Sequence, residues 1–297
     1  MDKAAFKNNE LPELGRRRPG LLRRLVRLIV QHPIGAFGAF VLLVVVVVAL
    51  FAPVVAPYDP TSQQAKRLLP PSSKNLLGTD ELGRDVWSRI VFGSRVSLYV
   101  GILAVSLAVM IGVPTGVLTG YIGGQFDSLV MRLVDIIMAF PALVLAIVIA
   151  GMLGPSVTNA MIAIGIVYSP QFARVARGSV LAVKAEPYVE AARLIGGTQA
   201  HIIFRHILPN ILPPIIVLIT LQMSTAILTE AGLSFLGLGT QPPQPSWGMM
   251  LSTGRKYMEI QPGLAIFPGL AIVITVLAFN FLGDGLRDAL DPRLRQL

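Results

Sequence analysis

Residues 96–126 read VSLYVGILAVSLAVMIGVPTGVLTGYIGGQF, a run with no Asp, Glu, Lys or Arg. The hydrocarbon core of a bilayer is about 30 Å thick, and at 1.5 Å per residue a helix crosses it in about 20 apolar residues. This run is long enough to cross, and so are the charge-free stretches 33–58, 136–173, 207–229 and 260–283. The stretch 136–173 holds most of two helices, reversed at Gly154-Pro155, where proline removes a backbone donor and glycine frees the chain. The expected spans are 35–57, 97–120, 129–151, 157–178, 207–232 and 264–284. Each must be helical, because an unpaired backbone group in lipid costs several kcal/mol. An all-α membrane protein with six spans follows.

Composition agrees, with 54% hydrophobic and 14% charged residues, where a soluble domain carries about 25% charge. The net charge of +9 comes from basic residues at the membrane boundaries, not from one polar face. It reads as positive-inside topology and not as a nucleic-acid surface. With the N-terminus inside, 17 basic residues fall on cytoplasmic segments and 8 outside. Both termini are therefore expected in the cytoplasm. The basic segment 1–34, amphipathic over 21–31, precedes an apolar run too long for a signal-peptide core of about 7–15 residues, so it reads as an uncleaved anchor. No cysteine is present, which excludes disulfides, thiolate metal sites and cysteine nucleophiles.

Enzyme signatures are missing. No phosphate-binding G-x-x-x-x-G-K-[ST] loop occurs, and His201 and His206, five apart, share a helix face poorly, so no metal site is expected. Within 80–95, acids and bases at helical spacing (Glu81 with Arg84, Asp85 with Arg89) read as an interfacial helix held by its own ion pairs. Trp247 reads as an interface anchor in a rigid 237–248 turn, and Asp135 as a boundary partner of Arg132. Asp284, Arg287 and Asp288 read as exposed pairs, and Gly112-Val113-Pro114 and Phe140-Pro141 as kinks. Glu230, near the outer end of span 5, is a candidate for the translocation path, the alternative being an interhelical hydrogen bond.

Between spans 4 and 5 lies Tyr188-Val189-Glu190-Ala191-Ala192-Arg193-Leu194-Ile195-Gly196. Glu186 and Glu190 favour a helix start, Gly196-Gly197 a stop, and Thr198 caps a second helix. An ordinary connector would look much the same. Glu190-Ala191-Ala192, then Gly196 and Leu208-Pro209, resembles the EAA loop of bacterial ABC importer permeases, with His206 where that pattern often has Ile.

Three further segments are similar to the C-type permease of the peptide-importer subfamily. They are Leu77-Gly78-Thr79-Asp80-Glu81-Leu82-Gly83-Arg84-Asp85, Leu233-Ser234-Phe235-Leu236-Gly237-Leu238-Gly239, and Phe279-Asn280-Phe281-Leu282-Gly283-Asp284-Gly285. The resemblance implies a type I importer permease fold and places the chain in the bacterial inner membrane. The organisation it implies is a cytoplasmic segment 1–34, a first helix 35–57, and an external loop 58–95. A five-helix core 96–285 with a coupling loop 181–206 follows, then a tail 286–297. Glu190, Ala191, Ala192, Arg193 and Gly196 would dock on ATPase subunits, with small Ala191 and Ala192 letting a partner groove close over the helix.

The implied partners are a homologous second permease, two ABC ATPases carrying ATP and Mg, and an external substrate-binding protein. This chain would bind no cofactor and perform no catalysis. Its cargo class would be di- or oligopeptides, with glutathione, opines and nickel chelates open. A secondary transporter is disfavoured by the nearly charge-free span centres, and a mere scaffold would not need the 188–210 loop.

Overall fold

The computed structural model of the chain describes residues 31–63 and 65–290. Most of the 1–34 segment, with nearly all of its amphipathic stretch, and the last residues of the 286–297 tail lie outside them. The described residues are helical apart from loops and one isolated bridge, Thr79 to Asp85. Four helices are long and apolar enough to cross a membrane, or five when a sharply bent pair counts as one.

The first span breaks into α1 (Pro33–Leu50) and α2 (Ala52–Val55) at Phe51. Pro53 in the first turn of α2 cannot donate to the carbonyl of Ala49. Arg95 takes over, its Nε bonding the Ala49 carbonyl and its Nη2 that of Leu50 at 2.8 Å. An arginine 45 residues downstream thus satisfies the carbonyls left open at the break.

Helix α3 (Val86–Ile122) has 37 residues, about 55 Å at 1.5 Å per residue, and stays helical through Pro114. It absorbs the end of the expected external loop. Residues 86–95 belong to this helix, and no separate interfacial helix occurs in the loop among the described residues. Asp85 caps α3, accepting from the Ser88 amide at 2.8 Å and its hydroxyl at 2.7 Å, so it is unavailable to Arg89. Arg84 bridges Asp80 at 2.6 Å and Glu81 at 3.1 Å, the second pair as expected. Arg89 turns to Asp80 at 3.4 Å and to the Pro60 carbonyl at 2.9 Å.

The stretch expected as the third span is a bent pair, α4 (Gly124–Met138) and α5 (Ala142–Leu153), meeting at 89° around Phe140-Pro141. The kink is a full corner, and the twelve residues of α5 reach only about 18 Å alone. The corner lays α4 against α6 (Val157–Lys184). Asp135 therefore pairs with Arg174 at 2.6 Å, not with Arg132, and Arg177 grips Asp127 through Nε and Nη2, both at 2.6 Å.

Helix α7 (Pro187–Leu194) and the short α8 (Gln199–Ile202) follow. A π-turn at Ile203–Ile207 then leads without interruption into α9 (Leu208–Phe235). The 237–248 segment is not only a turn, because it opens α10 (Trp247–Arg255). Trp247 is 2% exposed, donates from Nε1 to the Ile90 carbonyl at 3.0 Å and packs on Gly93, so it plugs the helix packing and anchors no interface. Helix α11 (Gly263–Leu290) closes the chain beside α1, where a Cβ on Gly35 would sit 2.6 Å from the Gly285 Cα. Asp284, Arg287 and Asp288 are exposed and form no ion pair among the described residues.

The main core joins α3, α5, α6 and α9 and is rich in small residues, including Ala104, Ala108, Ala146, Ala150, Ala160, Ala163 and Ala226. Such residues let helix backbones approach closely, which van der Waals packing in a membrane requires. Gly112, Gly116 and Gly120 extend this along α3. Added Cβ atoms at 112 and 116 would strike the Ser169 and Ala173 carbonyls of α6, and one at 120 would crowd the Arg177 carbonyl at 3.0 Å. Polar rungs cross the same interior: Tyr168 to Thr229 at 2.7 Å, Gln171 to Gln222, and Ser224 to Asn280 at 2.8 Å.

Candidate functional site

Helices α3 and α6 end together and carry α7 on their tip. Lys184, the last residue of α6, donates from Nζ to the Tyr121 carbonyl at 2.6 Å and lies 5.5 Å from that ring's centroid. This carbonyl is in the last turn of α3, where helical partners run out, so the lysine satisfies an orphan acceptor and ties the two ends.

The short α7 begins with Pro187, whose missing donor costs nothing at a helix start, and has Glu190 in its first turn. It ends in a paired closure: the Gly197 amide donates to the Ala192 carbonyl at 3.0 Å and the Gly196 amide to Arg193 at 3.1 Å. Gly196 has φ +87°, a conformation that disfavours any side chain, and Gly197 approaches Ala192 too closely for a Cβ. Thr198 then caps α8 through the His201 amide at 3.3 Å.

The two faces of α7 differ. Val189 (0% exposed) and Ala192 (8%) point inward, where Val189 joins Ile202, Ile207, Ile211, Val180 and Val117. Outward stand Tyr188, Glu190, Ala191, Arg193, Leu194 at 82% exposure and Ile195 at 87%. Ala192 therefore seats the helix on its own stem and also lines, with the exposed Ala191, a groove beside α7. Ala192→Leu is expected to overpack this seat by about 1–3 kcal/mol. Hydrogen exchange should speed up over 187–197 while the α3–α6 stem stays protected.

Beside the outward face lies an open groove of about 600 Å³, lined by Tyr188, Ala191, Ile195, His201 and His206 among others. The π-turn widens the helical repeat, so residues five apart meet. The His201 and His206 rings stand 5.6 Å apart edge to face, with Tyr188 6.2 Å from His206. Sequence spacing had separated these two histidines. Among the described residues no group of three or more His, Cys, Asp or Glu is placed to hold a metal.

A second cavity, about 640 Å³, opens between α6, α9 and α11. It is lined by Val175, Pro213, Val217 and Leu221, with Asn210 and Arg287 as its polar groups. Sequence reasoning missed it, since its walls come from three separate helices. Glu230, expected on a path, is 1% exposed and lines neither cavity. Its Oε1 accepts from the Ser234 hydroxyl at 2.7 Å, while Oε2 makes no hydrogen bond within the described residues.

Residues 112–296 match the family described as binding-protein-dependent transport system inner membrane component, and residues 20–71 match the N-terminal TM domain of oligopeptide transport permease C. Among its relatives is the glutathione transport system permease protein GsiD of Shigella flexneri serotype 5b, 48% identical over 267 residues, 89% of this chain and 88% of that one. A Brucella abortus biovar 1 protein whose name assigns it to peptide transport is 43% identical over 288 residues, 96% of this chain and 95% of that one. In fold, the chain resembles a subunit of the MetNI methionine ABC transporter solved in an inward-facing conformation. The TM-score there is 0.58 at 21% identity, covering 69% of this chain and 97% of that one. With its four to five apolar spanning helices and these matches, the chain belongs to the binding-protein-dependent transport system inner membrane component family, as a permease subunit of an ABC importer.

Proposed function

We propose that this permease imports di- or oligopeptides, glutathione included, as one half of a pathway completed by a homologous second permease. Two partner ATPases bind and hydrolyse ATP with Mg, and this chain does neither. The observation that carries the reading is α7, an apolar knob of Leu194 and Ile195 projecting from a glycine-packed two-helix stem. A stem whose backbones touch moves as one body. A partner that grips the knob can therefore tilt α3 and α6 together. The 640 Å³ cavity beside α9 suits the inner part of the pathway, its apolar walls offering few fixed contacts to varied side chains.

The chain crosses six times in this reading, with both ends in the cytoplasm and α7 on the cytoplasmic side. Helix α6 counts as a span although it carries Arg174 and Arg177, because Asp135 and Asp127 neutralise them. The other end, residues 58–85 and 236–262, then faces the binding protein. The cysteine-free chain makes a direct test possible. An impermeant thiol reagent added outside should label Lys66→Cys and Lys256→Cys and spare Ala200→Cys, and the reverse pattern contradicts the orientation. Reconstituted with its ATPases and binding protein, the complex should take up dialanine, trialanine or glutathione only with ATP. ATP-dependent uptake of none of them contradicts the cargo class.

A further inference from the structure

At the end opposite α7, residues 241–244 (Gln-Pro-Pro-Gln) form an exposed tip between two buried feet. One foot is Pro245, Ser246, Trp247 and Gly248, where Gly248 is pressed against the Ala231 backbone and Trp247 against Gly93. The other is Gly239 and Thr240, the latter 2% exposed.

Leu238, beside the second foot, is fixed by backbone bonds to Leu233 and from Ser156, and Thr240 itself is held by a chain of side-chain hydrogen bonds. The Thr240 amide donates to the Ser234 hydroxyl oxygen at 3.0 Å, and the Ser234 hydroxyl donates to Glu230 Oε1 at 2.7 Å. Gly239 packs so tightly on Ser234 that a Cβ there would overlap the hydroxyl. Ser234 is 2% exposed and Glu230 1%, so neither bulk water nor lipid reaches this link in the structure. A hydroxyl that receives one bond has its single proton free to give, and Oε1 fixes where that proton points. With the proton aimed at Glu230, the Ser234 lone pairs face the Thr240 amide.

We infer that Glu230 is a positioning residue: through Ser234 it holds the Thr240 foot down and so sets the place of the 241–244 tip. The carboxylate then acts on transport without touching cargo. The inference rests on the reading that a binding protein meets this face, but its labelling arm does not depend on that reading.

The test uses the full transporter in proteoliposomes, with Thr240→Cys as reporter, a mild change because the Thr240 hydroxyl makes no hydrogen bond within the described residues. Losing one buried hydrogen bond shifts the docked fraction of the foot about tenfold. Maleimide labelling of Thr240→Cys should rise by about that factor in Glu230→Ala and in Ser234→Ala. Glu230→Gln keeps an acceptor at Oε1 and should label at the parental rate. In transport, with threonine restored at 240, Glu230→Ala and Ser234→Ala should raise the concentration of loaded binding protein needed for half-maximal uptake more than they lower the maximal rate. Ser234→Ala covers the case in which Glu230→Ala fails to assemble. Unchanged labelling in Ser234→Ala overturns the inference whatever transport does. Loss of uptake in Glu230→Gln with the foot still protected also overturns it, by placing the charge of the carboxylate on the cargo path. A raised labelling rate with unaltered binding-protein dependence keeps the latch and contradicts the docking face instead.

Discussion

Gly116→Leu is expected to prevent assembly of a working transporter. A Cβ at 116 would strike the Ala173 carbonyl and come within 2.8 Å of both the Ala176 Cβ and the Arg177 amide. Two of these three are backbone atoms, so no rotamer change relieves the contact and α3 must move off α6. Overpacking costs about 1–3 kcal/mol where side chains can adjust, and more where they cannot. Separation would also loosen the Lys184 clasp and the Arg177–Asp127 pair, both of which need the helices in register. The yield and thermal stability of the purified complex report the loss. Gly178→Leu on α6 is the control: nothing lies within 4 Å of its Cβ position, so it should be tolerated.

Leu194→Asp and Ile195→Asp are expected to leave folding intact and remove the ATPases. Both side chains are more than four-fifths exposed, so no internal contact is lost. A fully buried apolar anchor at an interface contributes roughly 2 kcal/mol or more, and burying an aspartate in its place adds a desolvation cost. Each change should weaken ATPase association by at least about thirtyfold. Co-purification of the ATPase and hydrolysis stimulated by loaded binding protein would both fall, while the two permeases still co-purify.

The parts of this molecule that were legible in the sequence are those governed by local chemistry. A charge-free run such as 96–126 has to be helical in lipid, and four helices, or five with the bent pair, are long and apolar enough to cross. The closure at Gly196-Gly197 and the Thr198 cap were legible for the same reason, since each is settled within a few residues. Pairings between distant residues were not. Asp135 has Arg132 one turn away, but the 89° corner presents it to Arg174, and no local rule gives the size of a corner. Arg95 answers a break made by Pro53 more than forty residues earlier. The burial of Ala192 was not legible, because which side of the two-turn α7 meets its own stem depends on residues elsewhere in the chain. The Gly112, Gly116 and Gly120 spacing was present in the sequence as a small-residue stripe, and the neighbouring Pro114 drew the reading toward a kink instead.

The claim that α7 couples ATP hydrolysis to the bundle is tested most directly by placing a photo-crosslinking amino acid at single positions in the assembled transporter. Positions 191 and 195 face outward on the knob, and Phe126 on α4 and Arg287 on α11 are exposed elsewhere on the chain. The account predicts that 191 and 195 capture an ATPase subunit, with a yield that changes between nucleotide-free and ATP-bound states. Capture of the ATPase from 126 or 287, with none from 191 or 195, would contradict it.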